Sequence, residues 1–134
     1  MKKTAAFLSL LILFMMLGGC RMIKIEEAER TPLKYTVADR SQIPEEAAKL
    51  IEEKKEKEFQ MVYQKGEDLY LIKGYGRQMS GGYSIQVTDL SASVNAVFFE
   101  TKLIGPTEEV QGGEPSYPYI VVKTEYRDVP VQFR

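Results

Sequence analysis

The sequence predicts a mainly β domain of the α+β class: a small antiparallel β-sandwich or open barrel of five to six strands with one N-terminal helix. Apolar and polar residues alternate with a period of two over most of the chain after residue 58. Turn-forming residues separate these short runs at the spacing that is typical of small sandwiches and barrels. A single charged segment with helical periodicity precedes them, which predicts the one helix.

The N-terminus has the pattern of a bacterial lipoprotein signal. A short cationic start precedes an apolar run over residues 5–17, which is shorter than the roughly 20 residues that a membrane-spanning helix needs. Gly18, Gly19 and Cys20 follow and resemble a lipobox, and Cys20 is the only cysteine in the chain. We predict a signal peptide at residues 1–19, cleavage between Gly19 and Cys20, and a lipid on the Cys20 thiol. The alternative is an ordinary signal peptide with a chance cysteine near its cleavage site.

Lipidation of Cys20 predicts where the mature protein resides. Two acyl chains such as palmitate bind a bilayer stably, whereas one chain binds only marginally. We therefore expect the protein to be anchored to the cell membrane through Cys20, on the extracytoplasmic face.

The composition excludes several classes of function. The predicted signal contains two lysines and no acid, so the mature chain keeps 16 basic and 19 acidic residues, a net charge of −3. That balance predicts no nucleic-acid partner. The chain has no His, which removes Ser–His and Cys–His nucleophile pairs and His-ligated zinc. We predict that the protein is not an enzyme and needs neither a metal nor a cofactor.

The mature chain divides into a tether and one folded domain. Residues 20–40 are predicted to be a lipid-anchored tether, although residues 33–37 alternate and favour a first strand. Residues 41–134 are predicted to form a single β-rich domain that begins with the helix. Pro44 suits the first helical turn, where its missing N–H has no intrahelical partner to lose.

The remaining elements are strands joined by turns and two longer loops. The predicted strands are residues 59–64, 69–73, 83–88, 96–104, 117–126 and 129–133. The first two form a hairpin, the fourth is apolar on both faces and is predicted to be central, and the last is predicted at a sheet edge. The loops are residues 74–82, which are rich in glycine, and residues 105–116.

The two loops and the start of the 117–126 strand are the candidate binding surface, with Tyr75 and Arg77 predicted at an exposed rim. The glycine spacing does not fit a phosphate-binding loop, and a strand rather than a helix follows it. The candidate residues are Tyr75, Arg77, Ser80, Gly81, Gly82, Tyr83, Tyr117, Pro118 and Tyr119. Two alternatives stay open: the first loop is only a sharp β–β connection, and the tyrosines only cap the core with their hydroxyls in water.

Two separated motifs carry a family resemblance. Residues 76–87 read Gly-Arg-Gln-Met-Ser-Gly-Gly-Tyr-Ser-Ile-Gln-Val, and residues 117–119 read Tyr-Pro-Tyr. Over about residues 69–122 the chain resembles the C-terminal domain of the protease complex subunit PrcB family, with Met79-Ser80 where Pro-Thr is common. The resemblance implies a small extracytoplasmic β domain, often lipid-anchored, with an accessory role in a protease complex, and it implies no catalytic residues.

These observations favour a lipid-anchored module that binds a protein partner, with a secreted or surface protease as the partner that the resemblance implies. Two alternatives remain at this stage. A small β domain of this kind is also suited to inhibit a protease by presenting a loop to its cleft. A structural envelope lipoprotein without a discrete ligand is the other.

Overall fold

The structure, a computed structural model, describes residues 29–107 and 113–134. The predicted signal peptide, the cleavage site, Cys20 and the first part of the predicted tether lie outside the described residues, as does the middle of the second loop. No helix within the described residues combines the length and the apolar character needed to cross a membrane.

Two four-stranded sheets make up most of the described chain. The strands are β1 (Thr31–Pro32), β2 (Tyr35–Val37), β3 (Glu58–Lys65), β4 (Asp68–Tyr75), β5 (Ser84–Ala92), β6 (Val97–Ile104), β7 (Tyr119–Glu125) and β8 (Val131–Phe133). Sheet A has the order β1-β5-β6-β8, and sheet B has the order β2-β7-β4-β3. All neighbouring strands are antiparallel except β6 and β8, which are parallel.

The predicted fold class is confirmed in its sandwich form, since the sheets do not close into a barrel. The structure has more strands than the five or six expected, because β2 lies in the predicted tether and β1 has only two residues, too few to show a periodic pattern. The predicted hairpin forms, β6 is central, and β8 lies at the edge of sheet A.

The main core fills the space between the sheets. Its buried residues are Leu69, Leu71, Leu90, Ala92, Val97, Phe99, Ile120 and Val122. On β4 and β7 the alternate side chains Tyr70, Ile72 and Val121 are also buried, on the opposite face of sheet B. These two central strands are therefore covered on both faces, which explains their nearly continuous apolar sequence.

The helix α1 (Glu45–Lys54) covers the outer face of sheet B. Its buried residues Ala47 and Ile51 lie one helical turn apart and pack against sheet B. Tyr63 of β3 donates a hydrogen bond to the Glu46 carboxylate at 3.1 Å, and this bond raises the pKa of Tyr63. The domain therefore has three layers: helix, sheet B and sheet A.

A β-bulge shifts the inward-facing positions of β5. Val87 pairs with Thr101 and Asp89 with Glu100, so Thr88 is an extra residue on β5. Before the bulge Ile85 and Val87 face the core, and after it the buried residues are Leu90 and Ala92. The predicted strand ended at Thr88 because this bulge breaks the alternation, whereas β5 continues to Ala92.

The described part of the predicted tether belongs to the fold. Strand β1 pairs with β5, and β2 pairs with β7. Arg30 forms an ion pair with Asp89 at 3.2 Å, and its guanidinium carbon lies 4.8 Å from the centre of the buried Phe98 ring. The domain boundary predicted at residue 41 therefore lies inside the folded unit, which includes residue 30.

Candidate functional site

The first loop begins after β4 with Gly76, a position that other residues cannot occupy without strain. Gly76 has a φ of +75°, and a Cβ there would lie 3.0 Å from the Glu58 nitrogen and 3.1 Å from the Lys57 carbonyl carbon. The next residue, Arg77, donates its backbone N–H to the Glu56 carbonyl at 3.1 Å. The start of the loop is thereby held against the chain that enters β3.

The second loop meets the first at the same end of the sandwich. Gln78 and Ser116 exchange two backbone hydrogen bonds of 2.8 and 3.0 Å. The Ser116 hydroxyl also donates to the Ser80 carbonyl at 2.6 Å. We call residues 76–82, 105–107 and 113–116 the loop cluster.

The rim of the loop cluster is exposed and carries a cation. Arg77 is exposed, and no described residue pairs with its guanidinium. Met79 is 80% exposed and lies two residues after Arg77 in the loop. Gly82 is exposed with a φ of +86°, and a Cβ there would lie 3.0 Å from Cβ of Pro106. The rim therefore presents a cation, a flexible thioether and exposed backbone to solvent.

Two tyrosines predicted for the binding surface, Tyr75 and Tyr83, are half-buried and contact other parts of the fold. Tyr75 is half-buried rather than exposed at the rim, because its hydroxyl lies 2.5 Å from the Thr101 hydroxyl. That hydrogen bond joins β4 of sheet B to β6 of sheet A. Tyr83 is also half-buried, and its ring packs over Gly105. A Cβ added at Gly105 would lie 3.6 Å from the Tyr83 ring.

The hydroxyls of the loop cluster bond to carbonyl oxygens. Ser80 donates to the Gly81 carbonyl at 3.3 Å, and Ser116 donates to the Ser80 carbonyl. Among the described residues, no carboxylate or amine that is able to act as a general base is bonded to either serine. These contacts support the loop conformation.

The Tyr-Pro-Tyr stretch leads into β7, whose first residue is Tyr119, and lies next to the loop cluster. The Pro118 carbonyl accepts a hydrogen bond of 3.0 Å from the Tyr75 nitrogen. Tyr119 packs in the apolar cluster under α1, and the Lys55 ammonium lies 5.0 Å from the centre of the Tyr117 ring. Both rings are half-buried, in agreement with the alternative in which they cap the core.

A groove of about 380 Å³ lies beside this stretch. We call it the β7 groove. Its lining residues are Val37, Ala38, Asp39, Arg40, Ile43, Tyr117, Pro118, Tyr119, Ile120 and Val121. The first half of this set lies about 80 residues before the second in the chain. Sequence reasoning missed it, since no local pattern indicates that residues 37–43 lie beside residues 117–121.

The arrangement defines a small two-sheet β domain in which the two loops and the Tyr-Pro-Tyr stretch lie next to each other. Residues 69–125 match the family model described as PrcB C-terminal, so this part of the chain is similar to a PrcB C-terminal domain. The match contains β4 to β7 and both loops, and it suggests a protease-associated domain of the accessory type. No curated protein and no solved structure matches the chain.

Proposed function

We propose that the protein is a lipid-anchored, extracytoplasmic protein-binding module that serves as an accessory to a secreted or surface protease. The family match carries this proposal, because residues 69–125 contain the complete loop cluster and the Tyr-Pro-Tyr stretch. The lipobox-like sequence that ends at Cys20 supports the anchor.

The chemistry of the site supports an accessory role over a catalytic one. The chain has no His, and the hydroxyls of the loop cluster donate to backbone carbonyls. The exposed groups at the rim are instead those of a contact surface, with Arg77 as its cation. A partner with an acidic patch is the expected complement to this cation.

Replacing Cys20 by alanine will abolish lipidation. The thiol is the acceptor of the diacylglycerol, so C20A cells grown with labelled palmitate will yield an unlabelled chain. Mass spectrometry of the N-terminus will find the wild-type chain starting at a lipid-bearing Cys20 and the variant without it. A matched Ser9→Ala change in the apolar run should leave the label in place. Equal labelling of C20A and wild type would exclude Cys20 as the anchor.

Reversing the charge of Arg77 will reduce capture of the protein partner. In-cell cross-linking of the full chain, followed by mass spectrometry, should capture a secreted or surface protease with wild type and several-fold less of it with Arg77→Glu. Arg127→Glu is the control, because Arg127 is an exposed arginine beyond the opposite end of β7. Capture of lipoproteins or wall components alone would contradict the protease role and favour a structural envelope role.

An activity assay on the captured protease separates an accessory from an inhibitor. The purified chain is added to the protease at increasing concentration, and hydrolysis of a peptide substrate is followed. Retained or raised activity supports the accessory role. Loss of activity at stoichiometric amounts supports inhibition in its place.

A further inference from the structure

We infer that the β7 groove takes an extended segment of the partner protein, which adds to sheet B as a strand beside the Tyr-Pro-Tyr stretch and places an acidic side chain against Arg40. This inference rests on the proposed function as a protein-binding module, and it names the surface and the chemistry of the segment. Addition of a strand to an open sheet edge is a common mode of peptide recognition.

The register of β7 shows that its edge is open in the groove. Pro118 accepts from Tyr75 of β4, so the even-numbered residues of β7 direct their backbone groups towards β4. The odd-numbered residues direct theirs towards β2, where Ala38 donates to the Val121 carbonyl at 2.9 Å. Beyond Ala38 no described residue pairs with the backbone N–H or C=O of Tyr119 or Tyr117.

The open edge exists because the chain turns away from β7 after Ala38. Residues Arg40–Gln42 form a short 3-10 helix whose first turn is closed by Asp39. The Asp39 carboxylate accepts from the Ser41 N–H at 3.0 Å, and the Asp39 N–H donates to the Gln42 side chain at 3.1 Å. These reciprocal bonds keep residues 39–42 out of the ladder, so β2 ends three residues before the position opposite Tyr119.

The groove offers an apolar surface beside these unpaired backbone groups. Val37 is 56% exposed, and Ile43 and Pro118 line the same groove. An added strand would cover such apolar surface while it pairs with Tyr119 and Tyr117. Backbone pairing and side-chain burial then act together, as strand addition requires.

The charges at the groove favour an acidic segment. Arg40 is exposed, and no described residue pairs with its guanidinium. The other charged residue that lines the groove, Asp39, is engaged by the hydroxyl and the N–H of Ser41, and the hydroxyl bond lowers its pKa. The groove therefore carries one charge of each sign, but the Asp39 carboxylate already accepts two local hydrogen bonds, whereas the Arg40 guanidinium has no partner among the described residues and is the group that can bind a carboxylate.

Peptide selection tests the inference even while the partner protein is unidentified. The probe is a phage-displayed random dodecapeptide library, screened on the detergent-purified full chain. We expect the selected peptides to combine alternating apolar residues with an acidic residue. Arg40→Glu should weaken their binding at least tenfold, whereas the control Arg127→Glu should leave it within about twofold. A library that yields no binder, or binders that R40E does not weaken, would overturn the inference.

Amide hydrogen exchange supplies a readout that is specific for strand addition. In the free chain the amides of Tyr117 and Tyr119 should exchange quickly, and a saturating selected peptide should slow them at least tenfold. Binding with unchanged exchange at Tyr119 would overturn the added strand. Slow exchange of Tyr119 in the free chain, together with dimers in solution, would assign the groove to a second copy and also overturn the inference.

The two proposals fail in different ways. If wild type and R40E capture the same protease equally in cells, the proposed function stands and the role of the β7 groove falls. If selected peptides occupy the groove while no protease is captured in cells, the groove stands as a peptide site and the protease role falls.

Discussion

Replacing Leu71 by alanine will lower the free energy of unfolding by about 2–5 kcal/mol. Leu71 is fully buried on β4, which lies between β7 and β3 in sheet B. Its side chain belongs to the core between the two sheets. The substitution removes apolar contacts and leaves a cavity that neighbours on a central strand cannot close. For a domain whose total stability is about 5–15 kcal/mol, this is a large share. Urea denaturation will show a lower midpoint with an unchanged slope.

Val62→Ala is the matched control for this measurement. Val62 pairs with Leu71 across the hairpin but lies on the edge strand β3 and is 44% exposed. Its truncation should change the free energy of unfolding by less than about 0.5–1 kcal/mol. Equal losses for Val62→Ala and Leu71→Ala would contradict the packing of sheet A over β4 and β7.

Replacing Gly76 by alanine will destabilise the domain and displace the first loop. Its φ of +75° costs an L-residue about 1–2 kcal/mol. A Cβ at this position also approaches the Glu58 nitrogen to 3.0 Å, and backbone atoms yield less readily than a flexible side chain. The bond between the Arg77 N–H and the Glu56 carbonyl should weaken with it. Thermal unfolding will report the loss, and faster amide exchange at Arg77 will report the displaced loop.

Gly81→Ala separates this effect from a general intolerance of the loop. Gly81 has no positive φ, and no atom lies within 4 Å of a Cβ built there. The change should be neutral or stabilising by up to about 1 kcal/mol, because alanine restricts the unfolded chain. If Gly81→Ala and Gly76→Ala destabilise the domain equally, close approach at Gly76 is not the cause.

The bulge in β5 shows why sequence periodicity alone could not predict the full length of this strand. The alternation of residues 83–88 predicted a strand with Ile85 and Val87 inward, and the structure confirms those positions. One extra residue, Thr88, then shifts the pattern, so that even-numbered residues of β5 face the core instead of odd-numbered ones. The sequence continues with an acid and small residues, which fit a turn as well as a strand, so only pairing with β6 extends β5 to Ala92.

The candidate site was predicted in part. The sequence pointed to both loops and to the Tyr-Pro-Tyr stretch, and the structure places them next to each other through the Gln78–Ser116 bridge. The exposure of Tyr75 was predicted wrongly, because its hydroxyl partner Thr101 belongs to the other sheet. Arg40 was not considered at all, since it lay in the supposed tether and its neighbours across the groove are far along the chain.

The sequence by itself determined the properties that depend on residues close together in the chain. The period of two specified strands, the turn at residues 65–68 specified the hairpin, and the absence of His removed whole classes of chemistry. The motif order also indicated the resemblance to the PrcB C-terminal domain, which the family match over residues 69–125 confirms.

Only the tertiary structure decided which strands became neighbours. It set β8 parallel to β6, placed β2 beside β7, and ended that pairing early enough to open the β7 groove. The physical reason is that alternation records which face of a strand is buried, whereas the choice of a partner strand depends on packing between segments distant in sequence.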